Sequence, residues 1–160
     1  MINSSCAGRD VPVVFDSVIF REAETADIAA LSEVRLSVRE NVLSNPHRIT
    51  REMYERYLCD IGKGWLCEVD GEVVGFSVAC LKDALIWALF VKPEHEGRGI
   101  GKRLLQLATK WLFEMGVSSI VLSTAVGTRA DRWYERQGWR RGEIKPDGEV
   151  LYRLDRSGSA

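Results

Sequence analysis

Seven consecutive apolar residues, Leu85-Ile-Trp-Ala-Leu-Phe-Val91, run shortly afterwards into glycine at three alternate positions, Gly97, Gly99 and Gly101. Such a run suits a central strand covered on both faces, and Pro93 ends it. From about Gly99 to Met115 the period changes. Leu104, Ala108, Trp111 and Met115 form one stripe, widened by Leu105 and Leu112, with Lys102, Gln106, Lys110 and Glu114 opposite. That is an amphipathic helix, stopped by Gly116, and Ser119 to Thr124 reads as a second buried strand. Strand, helix, strand over 85–124 predicts a right-handed crossover.

The flanking sequence fits around this unit. Val18 to Ala23 is a short strand, and Thr25 is placed to cap a helix carrying Ile28, Leu31, Val34 and Val38, fading near Asn41. Asn45-Pro46 signals a turn, and Thr50 caps a second helix with Met53, Tyr57 and Ile61 on one stripe. Gly62 and Gly64 read as its stop. Trp65–Val69 and Glu72–Leu81 form a hairpin around Asp70-Gly71. Residues 128–137 predict a short helix ended by Gly138. Trp139–Ile144 and Glu149–Leu154 predict a closing hairpin around Asp147-Gly148. The expected organisation is a flexible arm over 1–17, one domain over 18–156, and a disordered tail over 157–160.

A net charge of −1 gives no global field to recruit nucleic acid or an anionic membrane, so neither is an expected partner. Cys6, Cys59, Cys67 and Cys80 form no CxxC pair, and only His47 and His95 could join them. Reduced thiols in or near the core are expected, with no metal site. Arg9 and Asp10 interrupt the first dozen residues, so no secretory signal is read there. No apolar run reaches the ~18–20 residues of a membrane span. A cytoplasmic location is the resulting expectation.

The stretch Val91-Lys-Pro-Glu-His-Glu-Gly-Arg-Gly-Ile-Gly-Lys-Arg-Leu104 carries the chemistry. Backbone N–H groups at a helix start lack intrahelical partners and bind phosphate oxygens. Gly97, Gly99 and Gly101 remove Cβ atoms that would hold a phosphate away, and Arg98, Lys102 and Arg103 add positive charge. A Walker loop would need glycine at 96 and Ser or Thr at 103, where Glu96 and Arg103 stand. A dinucleotide fingerprint would need glycine at 102 or 104, where Lys102 and Leu104 stand.

The stretch instead resembles the acetyl-CoA signature of the GNAT superfamily, [Q/R]xxGx[G/A], with Gly99 and Gly101 matching and Glu96 replacing the usual Gln or Arg. Ala130-Asp-Arg-Trp-Tyr134-Glu-Arg-Gln-Gly138-Trp139 resembles that family's AxxxYxxxG[F/W] segment. Gly127 stands where an asparagine is frequent, so one cofactor contact is either lost or taken by Thr128 or Arg129. The resemblance covers about 18–154. It implies an α/β layered GNAT-like fold, a mixed, mostly antiparallel sheet of about seven strands flanked by four helices. It also implies acetyl transfer from acetyl-CoA to a primary amine of a small molecule or peptide.

Implied donor contacts are Leu89, Phe90, Val91, Glu96, Gly97, Arg98, Gly99, Ile100, Gly101, Lys102, Arg129 and Tyr134. The Leu89–Val91 backbone would pair with the pantetheine arm, and the Glu96 side chain would turn into solvent. Tyr134 matches the family's acid, which protonates the leaving thiolate. An amine like that of lysine, pKa about 10.4, is free in only about one molecule in 10³ at pH 7, so a base is needed. The apolar run 85–91 offers none. Glu40, Asp83, Glu68 and His95 are the candidates, with Glu40 first, and Arg39, Glu40, Asn41 and Trp87 are the expected acceptor contacts. The rival class is a non-catalytic acyl-CoA-binding sensor. Homodimers are common in that family, and the C-terminal hairpin is a candidate surface for one.

Overall fold

The computed structural model describes residues 17–38 and 49–157. Its centre is a seven-stranded sheet in the order β1-β2-β3-β4-β5-β7-β6. The strands are β1 (Val18–Glu22), β2 (Gly62–Val69), β3 (Glu72–Cys80), β4 (Leu85–Val91), β5 (Ser119–Ala125), β6 (Arg140–Ile144) and β7 (Glu149–Asp155). Every neighbouring pair is antiparallel except β4 and β5. Four α-helices cover it: α1 (Ile28–Ser37), α2 (Arg51–Glu55), α3 (Ile100–Glu114) and α4 (Arg129–Arg136). The mixed, mostly antiparallel architecture expected from the sequence is the one observed.

Two apolar layers sandwich the sheet. On one face Leu104, Ala108 and Leu112 of α3, all fully buried, meet Val74 and Ile120 together with Tyr134 of α4. On the other, Ile28, Leu31 and Val34 of α1 and Tyr54 of α2 pack on Leu66, Phe76, Val78 and Ala88. The continuous apolar run of β4 follows from this double cover, since Ile86, Leu89 and Val91 serve one layer and Trp87, Ala88 and Phe90 the other.

Several local expectations shift. Thr25 opens a turn rather than capping α1; Asp27 reaches back to the Glu24 N–H at 2.8 Å and also receives Arg21. Thr50 does cap, its hydroxyl accepting from the Met53 N–H. The second helix buries Tyr54 rather than Met53 or Tyr57 and ends in a wider turn over Arg56–Asp60. Gly62 and Gly64 are not a stop but the first residues of β2. At Gly62 a Cβ would lie 2.0 Å from the Ala79 carbonyl oxygen and 2.8 Å from that of Tyr57, so close approach of the neighbouring strand, and of the preceding turn, requires that glycine. Cys67 and Cys80 are buried free thiols raised by burial, whereas Cys59 is exposed. No helix among the described residues is long and apolar enough to cross a membrane.

Candidate active site

The parallel seam between β4 and β5 holds the site. Leu85 and Val121 are the single pair in register there, reinforced by the Val121 N–H donating to the Ala84 carbonyl at 3.1 Å. Beyond that rung the strands part and open a cleft of about 1040 Å³. The Lys92 N–H donates to the Val74 carbonyl of β3. By strand alternation the backbone of Phe90 then also faces β3, while that of Leu89 and Val91 faces the cleft. Donor-like and acceptor-like backbone groups therefore line a strand edge with no strand opposite. Phe90 contributes to the cleft through its ring, not its backbone.

At the open end, β4 passes through a short turn, Pro93–His95, into the glycines. Gly97 and Gly99 have φ of 80° and 83°, the left-handed region that glycine enters at no steric cost. Gly99 is the N-cap of α3 and has no side-chain cap. The first N–H groups of a 15-residue helix are thus offered to the cleft. Gly97, Gly99, Ile100, Gly101 and Lys102 all line it. Arg98 is not among the lining residues; its Nη1 lies 3.3 Å from His95 Nδ1 on the exposed side of the turn.

Tyr134 enters from α4. Its ring is buried among Trp133, Trp139 and Tyr152, and its residue lines the cleft. The hydroxyl makes no hydrogen bond to any described residue. Burial first, then the neighbouring Tyr152 phenol, push it well above the usual phenol range. Tyr134 is thus a buried phenol in the wall of the cleft.

Glu96 is exposed, and it has a partner there. Its Oε1 accepts from Arg129 Nη1 at 2.6 Å, joining the glycine turn to the first residue of α4. Both residues line the cleft. The carboxylate that would repel a phosphate is thereby matched with a guanidinium.

Residues 33–139 match the acetyltransferase (GNAT) family. This chain is a member of that family. Among curated relatives, it is 26% identical to an uncharacterised ycf52-like N-acetyltransferase of Prochlorococcus marinus, over 81% of this chain and 70% of that one. It is 37% identical to an uncharacterised N-acetyltransferase of Archaeoglobus fulgidus over 52% of this chain and 63%, under two thirds, of that one. Among solved structures, the PaiA N-acetyltransferase of Thermoplasma acidophilum, in complex with coenzyme A, superposes with a TM-score of 0.74 at 18% identity. That match covers 88% of this chain and 99% of that one. The ribosomal-protein-S18-alanine N-acetyltransferase of Escherichia coli gives 0.72 at 17% identity, covering 90% and 97%. The protein is thus an acyltransferase of the GNAT N-acetyltransferase type.

In this acetyltransferase the helix bearing Tyr134 is anchored by a network that its sequence does not announce. Asp131 is 2% exposed. It accepts from Arg141 Nε and Nη2, both at 2.9 Å, from the Tyr152 hydroxyl at 2.8 Å and from the Gly127 N–H at 2.8 Å. Arg141 chiefly, with the Gly127 and Tyr152 bonds, holds its carboxyl far below the usual range against the opposing cost of burial. Burial, then Asp131, pushes the Tyr152 phenol up to about 12. Gly127, where an asparagine is frequent, gives its N–H to Asp131, four residues on.

The opposite face of β4 meets α1 and α2. The register shifts between Val78/Ala79 of β3, leaving Trp87 as the extra residue of a bulge. Trp87 stacks on Tyr57 at 4.2 Å and meets Tyr54 edge-on at 5.3 Å. Among the candidate bases, His95 lines the cleft. Glu68 is bound to Arg21 at 2.8 Å on the outer strands, and Asp83 sits beside Cys80 in the β3–β4 turn. Arg39, Glu40 and Asn41 lie outside the described residues. Arg35, to which sequence reasoning gave no role, lines the cleft with its guanidinium 4.0 Å from the Phe90 ring centroid. No spacing rule marks it, because its role comes from the strand it lies against.

Proposed function

We propose that this protein transfers the acetyl group of acetyl-CoA to a primary amine by direct attack, with both substrates bound. One observation carries the reading: the β4–β5 seam opens between a glycine turn fit for phosphate and a buried, unbonded phenol. Both halves suit one elongated thioester. When bound, acetyl-CoA supplies an activated acetyl group and leaves as a thiolate.

The chain's own residues do the rest. The α3 N-terminus and the glycines without Cβ atoms hold pyrophosphate, with Lys102 and Arg129 supplying charge. The Leu89 and Val91 backbone pairs with the amide-bearing arm, as an added strand would. One of their N–H groups faces the carbonyl oxygen as it gains charge. Tyr134 gives its proton to the sulfur. A phenol with raised pKa suits this because the same desolvation raises a thiol seated beside it, about 8.5 in water. Glu40 and His95 are the proposed proton acceptors for the amine, and Trp87 a wall of its site.

Calorimetric titration with acetyl-CoA tests the donor half, using desulfo-CoA, ATP and NAD as controls. Binding of the CoA compounds alone, followed by thiol release with an amine, is the expected result. Folded protein that binds no CoA compound would remove the reading.

A further inference from the structure

The Tyr134 hydroxyl bonds to no described residue, so within the described protein it is packing that aims it. Three rings supply that packing: Trp133 at 5.1 Å between centroids, Tyr152 at 5.5 Å and Trp139 at 6.0 Å. Trp133 is half-buried in the cleft wall, whereas Tyr152 is fully buried. Of the three, Tyr152 is the ring whose polar end is tied down. Its hydroxyl donates to the Asp131 main-chain carbonyl and to Asp131 Oδ1, both at 2.8 Å.

Asp131 and Tyr134 are the buried residues of α4, three apart and so on one face of the helix. Tyr152 therefore reaches from β7 to the helix one turn before the acid, and lays its ring against the acid itself. A closed triangle results, with two corners on α4 and one on the sheet. Arg141 braces it from the next strand. Arg141 and Tyr152 are direct partners in the β6–β7 ladder, so their side chains rise on one face. Arg141 meets the Asp131 carboxylate with two bonds of 2.9 Å, a fork that fixes direction as well as distance. The Gly127 N–H adds a hold from the turn before α4. A helix of eight residues owes its placement to tertiary packing rather than to its own stability. With Asp131 and Tyr134 as its buried residues, whatever fixes the first sets the rotation that presents the second.

We infer that Tyr152 and Arg141 are positioning residues for proton transfer: through Asp131 they set the rotation of α4, and so where the Tyr134 hydroxyl meets the leaving sulfur. The inference rests on Tyr134 as the acid and adds the residues that aim it. In that step Tyr134 gives its proton to the sulfur as the C–S bond breaks, and regains one from solvent afterwards. Neither Tyr152 nor Arg141 lines the cleft. Their effect therefore belongs to turnover and not to donor binding. Displacing a reacting group by about 1 Å costs on the order of 10²-fold in rate.

The test uses Tyr152→Phe, which keeps the ring against Tyr134 and removes only its hold on Asp131. Single-turnover thiol release from bound acetyl-CoA is followed with hydroxylamine, a small amine that is uncharged at pH 7 and so needs no base. Acetyl-CoA affinity is measured by calorimetry on the same samples. Thiol release should slow about 10- to 100-fold, with affinity close to the parent's. In a Tyr134→Phe background the same change should cost nothing further, since no proton is left to aim. Arg141→Lys keeps the charge, loses the fork, and should show the same pattern. An unchanged rate in both variants, an equal loss in the Tyr134→Phe background, or a parallel loss of acetyl-CoA affinity would overturn the inference and leave Tyr134 as the acid. If Tyr134→Phe alone keeps the parent's rate, the acid assignment fails first.

Discussion

Glu96 and Arg129 form an ion pair of 2.6 Å that links the glycine turn to α4, at the place where a donor's phosphates would compete for the same guanidinium. The pair is partly solvated on both sides, so it is worth under about 1 kcal/mol. Its consequence lies in what it withholds from a ligand. Glu96→Gln releases Arg129 and removes a negative charge from the phosphate approach. Calorimetry should show acetyl-CoA binding about two- to fivefold tighter, with the gain shrinking in high salt. Weaker binding would mean that Glu96 positions Arg129 rather than competing for it.

Gly101 gives a cleaner probe of the phosphate cradle than Gly99. At Gly99, with φ of 83°, any side chain strains the backbone. At Gly101 an added Cβ meets Val91 and Trp133 at 3.7–4.0 Å, ordinary contact, in a helical position. Gly101→Ala should hold or raise the melting temperature, since alanine favours helix by up to about 1 kcal/mol. The signature admits alanine at this position, so Gly101→Ala should keep acetyl-CoA affinity close to that of the parent. The bulkier Gly101→Val should lower it at least about tenfold, the cost of a displaced charge-assisted bond. Unchanged affinity in a folded valine variant would move the phosphate site elsewhere.

Tyr134→Phe leaves the ring packing and removes only the proton. Turnover should drop roughly 10²- to 10⁴-fold, while acetyl-CoA affinity stays close to that of the parent. Because its phenol is raised, the parent's kcat should show no falling alkaline limb below about pH 10. A limb beginning near pH 8 would assign the proton to another group.

The Asp131 network predicts stability at both ends of the pH scale. The Asp131 carboxyl is depressed on folding, so its contribution is present above about pH 4 and is lost as pH falls toward its much lower folded value. Tyr152 is raised to about 12 from about 10, so its contribution is whole below pH 10 and is lost as pH rises to about 12. Asp131→Asn leaves Arg141 without its buried partner. Urea unfolding at pH 7 should show a lower midpoint than the parent's, with a flatter acid limb.

What the sequence made legible was whatever repeats or punctuates. The 85–91 run, the alternate glycines and the Asp70-Gly71 turn each have a local cause, and the structure keeps each of them. Gly62 misled because a glycine required by strand contact looks the same as one that ends a helix; the deciding atom, the Ala79 carbonyl, is seventeen residues away. The partner of Glu96 was hidden for the same reason, since Arg129 lies thirty-three residues on. Asp131, Arg141 and Tyr152 occupy α4, β6 and β7, and no sequence spacing links them. Arg35 gains its place from Phe90, on a strand that only the sheet order brings beside α1.

The seam between β4 and β5 has a mechanical consequence. With one rung at Leu85 and Val121, the strands on either side are joined there mainly through α3 and its apolar face. A donor bound along β4 would add a splint across that seam. Its binding energy would then resist unfolding by RT ln(1 + [L]/Kd), and the enzyme's substrate would double as a brace.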